Sequence, residues 1–105
     1  MDRRVSDMAD LSAKLDHDRV TFLRTEISLS NTLAEMSETE YDIGDREAAA
    51  RSLAHGEEGY ATLLRFLGDP KHASHLTGNQ LQELNAGLET LRQKLDDVRR
   101  LHTRR

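Results

Sequence analysis

The 105 residues contain no cysteine and no tryptophan, one proline, two phenylalanines and two tyrosines. Without thiols a disulfide framework, a thiolate metal site and a cysteine nucleophile are excluded together. No stretch approaches the ~18 consecutive apolar residues of a membrane span. The amino-terminal "MDRRVSDMAD" is polar and acidic where a signal peptide carries an apolar run. A soluble, cytoplasmic protein with no membrane contact is therefore expected. A large excess of one charge is also missing: 15 Lys and Arg stand against 19 Asp and Glu, for a net charge of -4. That balance gives no general pull toward nucleic acid or anionic lipid, and no nucleic-acid partner is expected. Only the tail "RRLHTRR" is basic, and cations at a helix carboxy-terminus suit the macrodipole.

What is present is 32% charged residues and an apolar set dominated by Leu and Ala, the profile of an all-α protein. A chain of this length fits one domain, residues 1–105, and buries roughly two thirds of the surface its unfolded form exposes. Gly44-Asp45 is the first break, with Asp45 suited to cap a helix that begins at Arg46. Gly68-Asp69-Pro70 is the second, a terminating glycine followed by an N-cap and a proline fit for a first helical position. Thr77-Gly78-Asn79-Gln80 has the form of a capping box ahead of a leucine run. The punctuation predicts helices over 6–43, 46–67 and 78–102, a short turn at 70–75 and a frayed end at 103–105.

Hydrophobic period assigns faces to these helices. Leu81, Leu84, Leu88, Leu91, Leu95 and Val98 alternate three and four residues apart, a narrow seam suited to packing on a bundle core. Ala49, Leu53, Gly56, Tyr60, Leu63 and Leu67 repeat that spacing, with Gly56 and Gly59 suited to close approach of a neighbouring helix near Tyr60. The first helix carries two stripes. Met8, Leu15, Phe22, Leu29, Met36 and Ile43 recur every seven residues, and so do Ala13, Val20, Ile27, Ala34 and Tyr41, about 140° further round. An apolar arc this wide suits packing against two other helices, and the helix outruns the second by more than ~20 Å. The apolar surplus near Met8, Leu11 and Leu15 is expected to meet the end of the third helix or a second chain. The expected architecture is a three-helix bundle with a long first helix and a third antiparallel helix. Its candidate interaction surface is Val20, Ile27, Tyr41, Met8 and Leu15.

Catalytic groupings are sparse. No glycine-rich phosphate loop or Gly-x-Ser-x-Gly elbow is present, so no enzymatic activity and no cofactor are expected. His72 and His75 form the only close histidine pair and are the candidate metal ligands, although a zinc site needs a third and usually a fourth. They support an alternative reading, a bundle that binds a metal or small ligand. Glu26 lies among apolar neighbours with no Lys or Arg three or four residues away, so burial would demand a cation from His55, Arg51 or Arg65.

Around Gly44 the chain resembles a tetratricopeptide-repeat hairpin over residues 33–61. Leu33, Met36 and Ser37 precede the Ile43-Gly44-Asp45 turn, and Ala49, Leu53 and Gly56 follow the glycine by five, nine and twelve residues. Tyr41 stands three rather than four residues before the glycine, Gly56 replaces the usual alanine, and Ala61 occupies the place of the helix-ending proline. No second copy follows, whereas such hairpins normally stack about three deep. The resemblance implies one right-handed helical hairpin closed by a third helix, with a groove for a helical peptide. The expected function is protein–protein contact or self-association.

Overall fold

The computed structural model describes residues 3–103, with side chains from Asp7 onward. Four helices follow in order: α1 Arg3–Asp42, α2 Arg46–Gly68, α3 Pro70–Ala73 and α4 Gly78–Thr103. The described residues contain no strand, so the chain is all-α. The segment expected to fray begins at Thr103, which is helical; residues 104 and 105, with the two terminal arginines, lie outside the described residues.

α2, α3 and α4 each start where a side chain can take up backbone donors that the first turn leaves unpaired. Gly44 turns the chain after α1 with φ +87, a conformation that costs a glycine little. The Asp45 N–H then donates to the Glu40 carbonyl at 2.9 Å, and the Asp45 carboxylate accepts from the Ala48 N–H at 3.1 Å. Asp69 serves two helices: its N–H donates to the Phe66 carbonyl at the end of α2, and its carboxylate accepts from the Lys71 N–H at 3.0 Å. At α4 the capping box is complete. The Gln80 N–H donates to Thr77 Oγ1 at 3.1 Å and the Thr77 N–H donates to Gln80 Oε1 at 2.9 Å.

α2 returns antiparallel along α1, and the contact between them is built from small residues. Ser37 Oγ donates to the Ala49 carbonyl at 2.6 Å, and Ser52 Oγ donates to Glu40 Oε1 at 2.5 Å. Further along, Gly56 and Gly59 face Ser30. A Cβ at Gly56 would lie 3.4 Å from the Ser30 carbonyl oxygen and 3.2 Å from Leu95, and one at Gly59 would overlap Ser30 Oγ. Ser30, Ala34 and Ser37 of α1 are accordingly buried, although two of them are polar.

α4 closes the remaining side, parallel to α1 and antiparallel to α2. Its Leu84, Leu88, Leu91, Leu95 and Val98 are buried against Val20 and Leu23 of α1 and Leu53 and Leu63 of α2. Each such side chain contributes about 1.5–3 kcal/mol relative to exposure. Two ion pairs keep the α1–α4 register, Arg24 with Glu83 at 2.7 Å and Lys94 with Glu35 at 2.6 Å, both joining residues 59 apart. Arg99 holds α4 to Glu57 of α2 at 3.0 Å.

The molecule is a rod of 68 × 20 × 17 Å. Its length comes from α1, whose residues 7–15 are all exposed, beyond the point where His75 meets Asp16.

The Gly59–Ser30 contact is testable by a double-mutant cycle. Alanine in a helix is about 1 kcal/mol better than glycine. In the parent, however, the new methyl must displace the Ser30 hydroxyl. Gly59→Ala should be more favourable by about 0.5–1 kcal/mol in a Ser30→Ala background than in the parent, measured by chemical denaturation. Equal effects in both backgrounds would contradict this packing.

Candidate functional site

The two seven-residue stripes of α1 have different fates. The line through Val20, Ile27, Ala34 and Tyr41 turns inward: Val20 is 4% exposed, Ala34 is buried, and Ile27 and Tyr41 are half-buried. Tyr41 packs its ring on His102 of α4 at 5.3 Å, and the Arg46 guanidinium lies 5.9 Å from its ring centroid. The line through Met8, Leu15, Phe22, Leu29, Met36 and Ile43 faces outward, and Leu11 joins it; these seven side chains are 42–75% exposed. Of the five residues expected to form an interaction surface, Met8 and Leu15 thus belong to one exposed line. Val20 lies in the core, and Ile27 and Tyr41 line its edge.

Threonines accompany the outer stripe. Thr25, Thr32 and Thr39 recur every seven residues beside it, and Thr32 Oγ1 donates back to the Ser28 carbonyl at 3.0 Å. Two shallow hollows open along this border. One is lined by Arg24, Thr25, Ser28, Leu29 and Thr32, the next by Thr32, Glu35, Met36, Thr39 and Glu40. In each, four residues at i, i+3, i+4 and i+7 surround the depression, the arrangement that receives one side chain of a facing helix. Glu26 is half-buried beside the stripe; Arg51 pairs instead with Glu47, and Arg65 donates to Thr62. At its α2 edge the stripe joins an aromatic run, Phe22 on Phe66 at 5.4 Å and Phe66 stacked on His72 at 4.3 Å.

The histidine pair is engaged in two separate contacts. His75 Nδ1 lies 3.2 Å from Asp16 Oδ1, whereas His72 stacks on Phe66 and keeps a buried Nδ1 with no hydrogen-bond partner. Among the described residues, no group of three or more His, Cys, Asp or Glu is placed to hold a metal ion.

A serine–histidine contact that spacing could not reveal lies at the other end of the molecule. Ser37 Oγ, fully buried, is 2.9 Å from His102 Nε2, 65 residues away in sequence. The single hydroxyl proton goes to the Ala49 carbonyl, so His102 Nε2 must be the donor in this pair. A nucleophilic serine needs the reverse, a histidine that accepts its proton. The geometry is that of a polar clasp joining α1, α2 and α4.

This is an all-α protein with an apolar, threonine-bordered stripe along one long helix. No protein-family model, curated protein or solved structure matches the chain. Among the described residues no helix is long and apolar enough to cross a membrane.

Ser37→Ala removes both bonds of the clasp and leaves the half-buried His102 without this partner, which should cost about 1–3 kcal/mol in chemical denaturation. An unchanged stability would contradict the clasp. A second test concerns the Arg24–Glu83 pair. The hydrogen bond from Arg24, aided by its charge, lowers the Glu83 carboxyl below its ordinary value. The pair's stabilisation is therefore complete above the unfolded carboxylate value, about 4.3, and is lost as pH falls through the lower folded value. Glu83→Gln should melt below the parent near neutrality and converge with it in acid. A gap that persists to about pH 2 would contradict the assignment.

Proposed function

We propose that the chain is a small three-helix bundle that works through protein–protein contact along the outer face of α1. In this reading α1 and α2 form a single hairpin of tetratricopeptide-repeat character, closed by α4, and the protein acts in the cytoplasm without catalytic chemistry. The observation that carries the reading is the outward line from Met8 to Ile43, which leaves seven large apolar side chains in water while Ser30, Ala34 and Ser37 of α1 are buried. Single exposed apolar residues are ordinary, but a contiguous row marks a contact surface. The short polar and glycine contacts between Ser30, Ser37, Ala49 and Gly56 support the hairpin comparison. The alternative, a bundle that binds a metal or small ligand through His72 and His75, draws support only from the unpartnered Nδ1 of His72.

A surface kept apolar for contact contributes little to the fold. Leu15→Glu with Leu29→Glu should preserve helicity by circular dichroism and leave the melting temperature of the dilute protein within a few degrees of the parent. Leu91→Ala, in the core, should cost about 2–5 kcal/mol. The same glutamates should abolish any complex the parent forms, with itself or with another protein, by chemical cross-linking. Collapse of the fold on introducing the glutamates, or complexes unaffected by them, would overturn the reading.

A further inference from the structure

Resting on that reading, we propose that the occupant of the α1 face is α1 of a second copy, packed antiparallel so that residue i of one chain faces residue 47 − i of the other.

The period of the stripe specifies a helical occupant. In a straight α-helix a strict seven-residue repeat drifts by about 20° per heptad, and it stays in line only against a helix that winds around it with a left-handed twist. The repeat runs from Met8 to Ile43 and so calls for a partner helix about as long as α1, whereas α2 and α4 span 23 and 26 residues. The area is adequate: seven large apolar side chains exposed by 42–75% present on the order of 700 Å² per chain, close to the ~800 Å² per partner of a standard interface.

Charge fixes the direction. All five cations of α1, Arg3, Arg4, Lys14, Arg19 and Arg24, precede Thr25, whereas its five carboxylates from Glu26 to Asp42 meet no Lys or Arg of their own helix in that half. In a parallel in-register pair the flanking positions juxtapose Lys14 with Arg19 and Glu35 with Glu40, like with like at both places. In the antiparallel register, Lys14 comes beside Glu35 and Arg19 beside Glu26, and two-fold symmetry makes each pair twice. Three core layers then set large against small, Met8 on Thr39, Leu15 on Thr32 and Phe22 on Thr25, and a fourth sets Leu11 on Met36.

The hollows fit the same register. The one around Met36, bordered by Thr32 and Thr39, receives Leu11 of the second copy, and Glu35 at its rim meets Lys14. The one around Leu29 receives Asp18, the one acidic residue on the seam, and Arg24 lines that hollow. The register also gives the exposed segment 7–15 a surface to lie on, the carboxy-terminal half of the other α1.

The absence of native cysteine makes disulfide trapping in the full chain a clean test. Leu11→Cys and Met36→Cys, each alone, should give no disulfide-linked dimer on mild oxidation, and their mixture should give one. A mixture of Phe22→Cys and Thr25→Cys should also link. Unsubstituted protein should sediment as a dimer with an affinity that weakens at least tenfold in Lys14→Glu. Self-linking of Met36→Cys alone would overturn the antiparallel register. A strict monomer at millimolar concentration would overturn self-pairing altogether, and if the stripe glutamates still abolished cross-linking to another protein, the broader reading would survive without it. Loss of fold in Leu11→Cys or Met36→Cys is excluded by circular dichroism before oxidation.

Discussion

The architecture depends on how closely α2 lies against α1. Where Gly56 and Gly59 meet Ser30, a single added methyl reaches carbonyl or hydroxyl oxygen, so the two backbones are held about as near as side-chain volume allows. That proximity selects the face of α1 turned inward, because only a row of small residues can occupy it. Ser30, Ala34 and Ser37 fill the row, and the hydroxyl of Ser37 finds partners on both α2 and α4. With that face fixed, the leucine seam of α4 can reach only the side of α1 that carries Val20 and Ile27. The bulkier stripe, more than ~100° away, is then left exposed, with Phe66 of α2 touching it at Phe22.

The sequence made some of this plain. Asp45, Asp69 and the Thr77–Gln80 pair act on the nearest turn, and their effect depends on no distant contact, so the caps and the all-α class were readable from local chemistry. The seam of α4 was equally readable, since a narrow stripe on a charged helix has only one way to face. The two stripes of α1 were not distinguishable, because both are apolar and both recur every seven residues. Hydrophobicity favours placing Phe22, Leu29 and Met36 inside, and the structure places Ser30, Ala34 and Ser37 there instead. The deciding quantity, inter-helix distance, is a property of pairs of residues on different helices. Gly56 and Gly59 were a clue to it, but they did not say which line of α1 they would meet. The Ser37–His102 clasp was illegible for the same reason.

The exposed stripe also bears on how α1 holds together. Its residues 7–15 are all exposed, beyond the point where His75 meets Asp16, and a helical segment without tertiary support is marginal below about 12–15 residues. Apolar residues at Met8, Leu11 and Leu15 are unfavourable in water there and favourable against another helix. Contact along the stripe would couple association to helix order at the amino-terminal end. The threonine border places hydroxyls beside the apolar stripe that can bond back to their own helix, as Thr32 does on Ser28.

The outer face of α1 is, in the proposed assembly, covered by a second helix, and small-angle X-ray scattering across a dilution series tests that coverage most directly. The single chain has a Cα radius of gyration of 17.7 Å. If two chains pair along this face, the forward scattering per unit mass doubles with increasing concentration. The cross-section thickens by about one bundle, and the antiparallel overlap of the two α1 helices keeps the particle short relative to an end-to-end pair. Scattering that keeps the mass of one chain and a radius near 17.7 Å at every concentration would contradict it.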